Sequence, residues 1–338
     1  MRTRVTLCES GMIARQNGFT IALDPSQAID CDFTFVSHAH VDHLHRRGKK
    51  KIKTQVLASK ETAMIAHARG YEIADPVEEQ EGFQLVDSGH ILGSRGLLVG
   101  DDIYYTGDIS VRERAFMKAA SIPHAHTLII ESTFGRPEYE FPPLKEIMYR
   151  TNKIISEMYD LGIPVILMGY SLGKAQLLTK LFSHWDPIMH ESVAKINSVY
   201  SELGVEIGGA MTYKQAEEKG LLSKNRPWVM VAPLMSERSI FVKEMKDRFN
   251  AVTIGFSGWA VRSRYRFMMG LDYVVPLSDH CDYNELVSAV EQCNPDQVFT
   301  FHGFSKEFAK SLRELGFNAE PIGHQKTSDK ILSLDAFQ

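Results

Sequence analysis

Ser37-His38-Ala39-His40-Val41-Asp42-His43 is the stretch on which the reading of this chain turns. It follows the apolar run Phe33-Thr34-Phe35-Val36. Three imidazoles and a carboxylate crowd into a few residues, and neither helix period nor strand alternation can aim all four at one point. A loop leaving the end of a strand can. Imidazole and carboxylate are zinc ligands, and a hydrolytic zinc site keeps one position open for water. The bland alternative is a polar loop that happens to be rich in histidine.

Three later positions repeat the order of strand, then ligand. His90 lies in Ser88-Gly89-His90-Ile91-Leu92-Gly93-Ser94, Asp108 in Tyr104-Tyr105-Thr106-Gly107-Asp108, and His302 in Phe299-Thr300-Phe301-His302-Gly303. Taken singly, each histidine reads as structural and the aspartate as a turn residue. Strand ends of one sheet lie near each other, so together these side chains can converge.

The chain has 338 residues, enough for roughly two domains. Short β-rich runs at 19–23, 33–36, 84–86, 96–99 and 103–106 are each followed by turn residues, and a helix is predicted over Lys60 to His67. This pattern suggests a sheet sandwich covered by helices. From Leu144 the character changes. Helices are predicted over 144–161, with Ile147, Ile154, Ile155 and Met158 as the apolar stripe, and over 172–182. Buried strands are predicted at 164–168, 228–232 and 251–255, so this part reads as an α/β unit with a parallel sheet. After Leu271 strands carrying histidines return. The expected layout is therefore a discontinuous first domain, 1–135 and 269–338, with an α/β insertion over 136–268.

Composition sets the outer limits. No run of about 18 apolar residues suggests a membrane span. The start, Met1-Arg2-Thr3-Arg4-Val5, carries no secretory pattern. Cys8, Cys31, Cys281 and Cys293 are scattered without a CxxC, which reads as reduced thiols in a cytoplasmic protein. A net charge of −4 argues against coating nucleic acid by bulk charge. It leaves a nuclease open, because bound metal ions add positive charge that a residue count omits.

The order HxHxDH, then His, then Asp, then a late His resembles the metallo-β-lactamase superfamily. Ile129-Ile130-Glu131-Ser132-Thr133-Phe134-Gly135, Leu277-Ser278-Asp279-His280-Cys281-Asp282-Tyr283 and His302 resemble motifs A, B and C of its β-CASP branch. Gly169-Tyr170-Ser171-Leu172-Gly173-Lys174-Ala175-Gln176 and Phe256-Ser257-Gly258-Trp259 with Arg262 are similar to the opening turn and the end of the β-CASP insertion. The likeness covers nearly the whole chain and is greatest to ligase-associated DNA exonucleases and their archaeal relatives. It implies an αββα metallo-β-lactamase sandwich with an inserted α/β β-CASP domain, and two Zn2+ ions, with Mn2+ as the alternative. By motif, His38, His40 and His90 would hold one ion, Asp42, His43 and His302 the other, and Asp108 would bridge them. Asp24, in Leu23-Asp24-Pro25, would support the loop by hydrogen bonds.

The implied activity is hydrolysis of phosphodiester bonds in single-stranded DNA or RNA, as an exonuclease in repair or RNA processing. Asp42 and Asp108 would orient the attacking water. His280 would protonate the leaving oxygen, and Glu131 would orient His280 and raise its pKa. Lys174, Ser257 and Arg262 are candidate substrate contacts, and the basic run Arg46-Arg47-Gly48-Lys49-Lys50-Lys51-Ile52-Lys53 could steer a phosphate backbone. A DNA ligase or an RNA-processing protein is the implied partner. Two other classes compete: a small-molecule thioester or lactone hydrolase of the same fold, which does not predict motifs A and B, and a silent β-CASP subunit, which would have lost metal ligands. Histidine as motif C occurs in the RNA-processing branch and in the ligase-associated branch, so DNA versus RNA stays open.

Overall fold

The structure is a computed structural model that describes residues 4–8, 11–16, 18–45, 52–208, 211–223 and 226–322. The first sheet takes its strands in chain order: β1 (Arg4–Cys8), β2 (Gly11–Gln16), β3 (Phe19–Leu23), β4 (Phe33–Phe35) and β5 (Gln55–Leu57). Its first three strands are antiparallel, and β3, β4 and β5 run parallel. Helix α1 (Lys60–Ala68) follows, its first turn capped by the Ser59 hydroxyl, which accepts from the Thr62 N–H.

The second sheet begins with β6 (Phe83–Asp87), β7 (Arg95–Val99), β8 (Ile103–Tyr105) and β9 (Thr127–Glu131). The chain then leaves it to build a third sheet. That unit runs through α2 (Leu144–Asp160), β10 (Val165–Gly169), α3 (Lys174–Leu181), β11 (Ile188–Met189), α4 (Glu191–Glu202), α5 (Tyr213–Glu218), β12 (Val229–Pro233), α6 (Ile240–Phe249), β13 (Val252–Phe256), α7 (Arg264–Met269) and β14 (Tyr273–Val275). Its strands lie in the order β11-β12-β10-β13-β14 and are all parallel. After α8 (Tyr283–Cys293) the chain returns as β15 (Gln297–Phe301), α9 (Ser305–Glu314) and β16 (Ala319–Pro321), giving a second sheet of order β16-β15-β9-β8-β7-β6.

Alternation along β8 and β9 shows how the layers form. Ile103, Tyr105 and Ile129 point inward and pack with Leu23, Phe35 and Leu57 of the first sheet. Tyr104, Leu128 and Ile130 point outward, onto Leu286 and Val290 of α8 and Phe308 and Leu312 of α9. All six of these strand residues are at most 2% exposed. Full burial of such side chains is worth about 1.5–3 kcal/mol each. A one-residue slip would exchange the two faces, so this pattern fixes the register that aims the strand ends. In the third sheet Val165 and Leu167 face α2 and α3, while Ile166 and Met168 face α6 and α7. Ile196, Val199 and Tyr200 of α4 pack with Ile65 and Ala66 of α1, which seats this unit against the sandwich.

Three details differ from the sequence expectation. Helix α3 starts at Lys174 rather than Leu172, because Gly173 turns the chain at φ +86. The third sheet reaches past residue 268 through β14, too short a strand to show alternation. The part after Leu271 holds two helices besides its strands. Helix α8 opens on a capping box between Asp282 and Glu285. Among the described residues no helix is long and apolar enough to cross a membrane.

Candidate metal centre

The candidate ligands sit where strands of the sandwich stop. Residues 38–43 follow β4, His90 follows β6, Asp108 follows β8, Glu131 ends β9 and His302 follows β15. Asp108 Oδ2 lies 3.4 Å from His38 Nε2, 3.5 Å from His43 Nε2 and 3.5 Å from His90 Nε2. Asp108 Oδ1 lies 4.0 Å from His302 Nδ1. One carboxylate thus touches imidazoles from three separate stretches of chain.

The hydrogen bonds around the rings assign their protons. His90 Nδ1–H donates to the Asp279 carbonyl at 3.0 Å, and His40 Nε2–H donates to the Leu172 carbonyl at 3.3 Å. The Ser37 hydroxyl donates to Asp24 Oδ2 at 2.6 Å and accepts from His38 Nδ1–H at 2.9 Å. The remaining nitrogens of His38, His40 and His90 then carry no proton, yet His38 Nε2 and His90 Nε2 stand 3.0 and 3.1 Å from His40 Nδ1. These are three lone pairs aimed at one point, with Asp108 closing the group. Burial first, and neighbouring imidazoles second, hold His38 and His90 well below the ordinary imidazole range, and burial takes His40 to about 4.

A second group joins His43, Asp108 and His302. His43 Nδ1–H donates to Asp24 Oδ2 at 2.8 Å, while its buried Nε2 has no hydrogen-bond partner, and neither has Asp108 Oδ1. Burial lifts Asp108 above the carboxylate range. Against the opposing effect of burial, Asp108, Asp42 and Asp24 lift His43. Both shifts describe a pocket short of positive charge. The orphaned atoms, the converging lone pairs and this deficit fit a divalent metal centre built around Asp108.

Asp42 stands apart from the tight groups. Its Oδ2 is 3.7 Å from His43 Nε2 and its side chain is 72% exposed. Asp24 gathers four donors: the Ser37 N–H at 2.7 Å, the Ser37 hydroxyl, His43 Nδ1 and the Tyr105 hydroxyl at 2.8 Å. His302 has φ +58 and Gly303 φ +47. A Cβ on Gly303 would stand 2.4 Å from Thr133 Cα, so this close turn needs glycine. The Ser132 hydroxyl bridges the carbonyls of Phe301 and His302 at 2.7 and 2.8 Å, tying motif A to the last histidine.

Glu131 is buried at the end of β9 and accepts from the Ile109 N–H at 2.9 Å, the Thr133 N–H at 3.1 Å and His280 Nδ1–H at 2.8 Å. Burial opposes its charge, but His280 and these donors hold its pKa below the usual value. Burial likewise opposes a charged His280, yet Glu131 and Asp108 pull it up to about 9. His280 Nδ1 is 4.0 Å from Asp108 Oδ2, so this pair borders both ligand groups.

The expected substrate contacts fare differently. Lys174 is 2% exposed, with Nζ 3.4 Å from Asp279 Oδ2 and 4.6 Å from the centre of the Tyr170 ring. It is a buried counter-charge, not an open phosphate contact, which corrects the sequence expectation. Ser257 is also buried and accepts from the Trp259 N–H at 3.3 Å, so its hydroxyl serves the fold. Arg262 is open to solvent, 5.1 Å above the Tyr139 ring and 3.5 Å from Glu138. Of the basic run from Arg46 to Lys53, residues 46–51 lie outside the described residues. Sequence reading gave no role to Tyr105, Arg114 or Asp279. Tyr105 read as a strand residue, and the partners of Arg114 and Asp279 are distant in sequence.

No protein-family model matches the chain. It is 35% identical over 307 residues to the "Probable DNA ligase" of Opitutus terrae, an alignment that covers 86% of this chain and 28% of that protein's length. It is 23% identical over 364 residues to "Probable RNase MJ4" of Methanocaldococcus jannaschii, covering 81% of this chain and 82% of that one. Among solved structures, a protein of unknown function from Enterococcus faecalis V583 superposes with a TM-score of 0.59 at 15% identity, over 90% of this chain and 94% of that one, which shows a shared fold. With such relatives aligned along most of its length, and with this architecture, the chain belongs to the β-CASP branch of the metallo-β-lactamase-fold family.

Proposed function

We propose that this chain is a metal-dependent phosphodiesterase that hydrolyses single-stranded DNA or RNA, working as an exonuclease in repair or RNA processing. The observation that carries the reading is the pair of buried Glu131 and half-buried His280 set against the shared carboxylate Asp108. A small-molecule hydrolase of the same fold has no call for that second acid–base pair. Zn2+ is the metal that the donor set suits, with Mn2+ as the alternative. When bound, two such ions would polarise the phosphodiester and supply hydroxide near neutral pH.

The remaining work falls to the chain's own residues. His38, His40 and His90 would hold one ion, His43, His302 and the more open Asp42 the other, with Asp108 between. Asp42 and Asp108 would orient the attacking water. His280 would hold the proton for the leaving oxygen, with Nδ1 engaged by Glu131 and Nε2 left to act. Arg262, the exposed one of the three expected contacts, would meet substrate phosphate, and residues 136–268 would form the inserted domain. The likeness to a protein called a probable DNA ligase supports a ligase as partner, and the scattered thiols support the cytoplasm.

The test is turnover of 5′- and 3′-labelled single-stranded DNA and RNA, with and without a 5′ phosphate, with Asp108→Ala as the blank. Metal-dependent release of nucleotides from one end is expected. Endonucleolytic fragments would remove the exonuclease claim. No cleavage of either polymer with Zn2+ or Mn2+ would remove the phosphodiesterase claim.

A further inference from the structure

Two of the three imidazoles in the first ligand group are oriented by atoms at the join between the sandwich and the α/β unit. His40 donates to the carbonyl of Leu172, which belongs to the turn between β10 and α3. His90 donates to the carbonyl of Asp279. The Asp279 carboxylate is buried between two cations, with Oδ2 3.4 Å from Lys174 Nζ and Oδ1 3.7 Å from Arg114 Nη1. Arg114 is itself 2% exposed and donates to the carbonyls of Gly89 at 2.5 Å and Ser278 at 2.9 Å, which staples the His90 loop to the His280 loop.

The turn is shaped to be pressed into that place. Gly173 has φ +86, and a Cβ there would stand 2.4 Å from Ile91 Cγ2, next to His90. A Cβ on Gly169 would stand 2.8 Å from Lys174 Cγ, so only glycine lets the lysine stem lie flat over the end of β10. A buried ammonium is costly unless paired, and a buried pair broken from one side is more costly still. Such an arrangement makes the position of Asp279 depend on Lys174.

We infer that the α/β unit completes the metal centre: its Leu172 carbonyl and its Lys174 ammonium, acting through Asp279, position His40 and His90 for the first metal. Lys174 is a positioning residue that touches no reacting atom. The inference rests on the reading that the histidine cluster holds metal, and it makes metal affinity on the sandwich depend on a side chain of the inserted unit.

The experiment is zinc affinity, measured by competition with a chromophoric chelator, for the unaltered protein, for Lys174→Met, and for the double variant Lys174→Met/Asp279→Asn. The unaltered protein should bind two zinc ions. Lys174→Met should weaken one of them about 10–100-fold, as loss of a group that orients a ligand does, and leave the other unchanged. The double variant removes the Lys174–Asp279 pair together, keeps the Asp279 main-chain carbonyl and leaves Arg114 held by the carbonyls of Gly89 and Ser278, so it should recover most of that affinity. Two zinc ions in the unaltered protein and undiminished affinity in Lys174→Met would overturn the inference and leave the metal reading standing. A double variant as weak as Lys174→Met would also overturn it, as would a weak double variant if the single one fails to fold. No zinc in the unaltered protein would overturn both.

Discussion

Asp108→Ala is expected to keep its fold, lose tight binding of both metals, and fall to background in phosphodiesterase turnover. Asp108 is the one side chain shared by every potential ligand group among the described residues. Its Oδ2 faces His38, His43 and His90 at 3.4–3.5 Å, and its Oδ1 has no hydrogen-bond partner. Removing it takes a bridging anion from between two cations, which then repel each other across the gap. Metal ions that stabilise transition-state charge supply several kcal/mol, so the loss should be on the order of 10³-fold or more. The fold should survive, because the removed carboxylate is desolvated and carries no hydrogen bond that spans the sheets. Metal content by elemental analysis and turnover on labelled single strands, with circular dichroism as the check on folding, measure the three parts separately. Two retained metals would deny Asp108 the bridging role.

His280→Ala should behave in the opposite way, with metal content unchanged and turnover reduced about 10²–10⁴-fold, the range for loss of a positioned general acid. Its partner makes the assignment sharper. Burial works against a charged imidazole at position 280, while Glu131 and Asp108 raise its pKa to about 9. An acid must be protonated to act, so activity should fail as pH rises through the His280 pKa. Replacing Glu131 by Gln removes the larger of the two raising charges, so the alkaline limb of the pH–rate profile should move to lower pH. Bound cations would lower that limb in both proteins, which leaves the direction of the difference intact. An alkaline limb that stays put in Glu131→Gln, or full turnover in His280→Ala, would take the acid role away from this pair.

How much of this was legible in the sequence depends on the distance over which each partner acts. The loop 38–43 names itself, because its ligands are packed together behind an apolar strand. His90, Asp108 and His302 could be read because each follows a strand whose alternation is visible. The fold class followed from the same alternation, and from the change to strand–helix order after Leu144. Partnership across sequence was hidden. Nothing near Tyr105 says that its hydroxyl reaches Asp24, 81 positions away. Nothing near Arg114 says that it staples two site loops, and Lys174 reads from the sequence as a substrate contact, although the glycine turn around it presses it inward. Such residues act through burial and long-range contact, which local periodicity does not encode.

The measurement that tests the central claim most directly is anomalous diffraction at the zinc absorption edge from crystals grown with zinc. The account predicts two peaks about 3.5–4 Å apart, one within coordinating distance of His38, His40 and His90, the other of His43 and His302, with Asp108 reaching both. A single peak elsewhere on the molecule, or no peak among these five histidines, would contradict it.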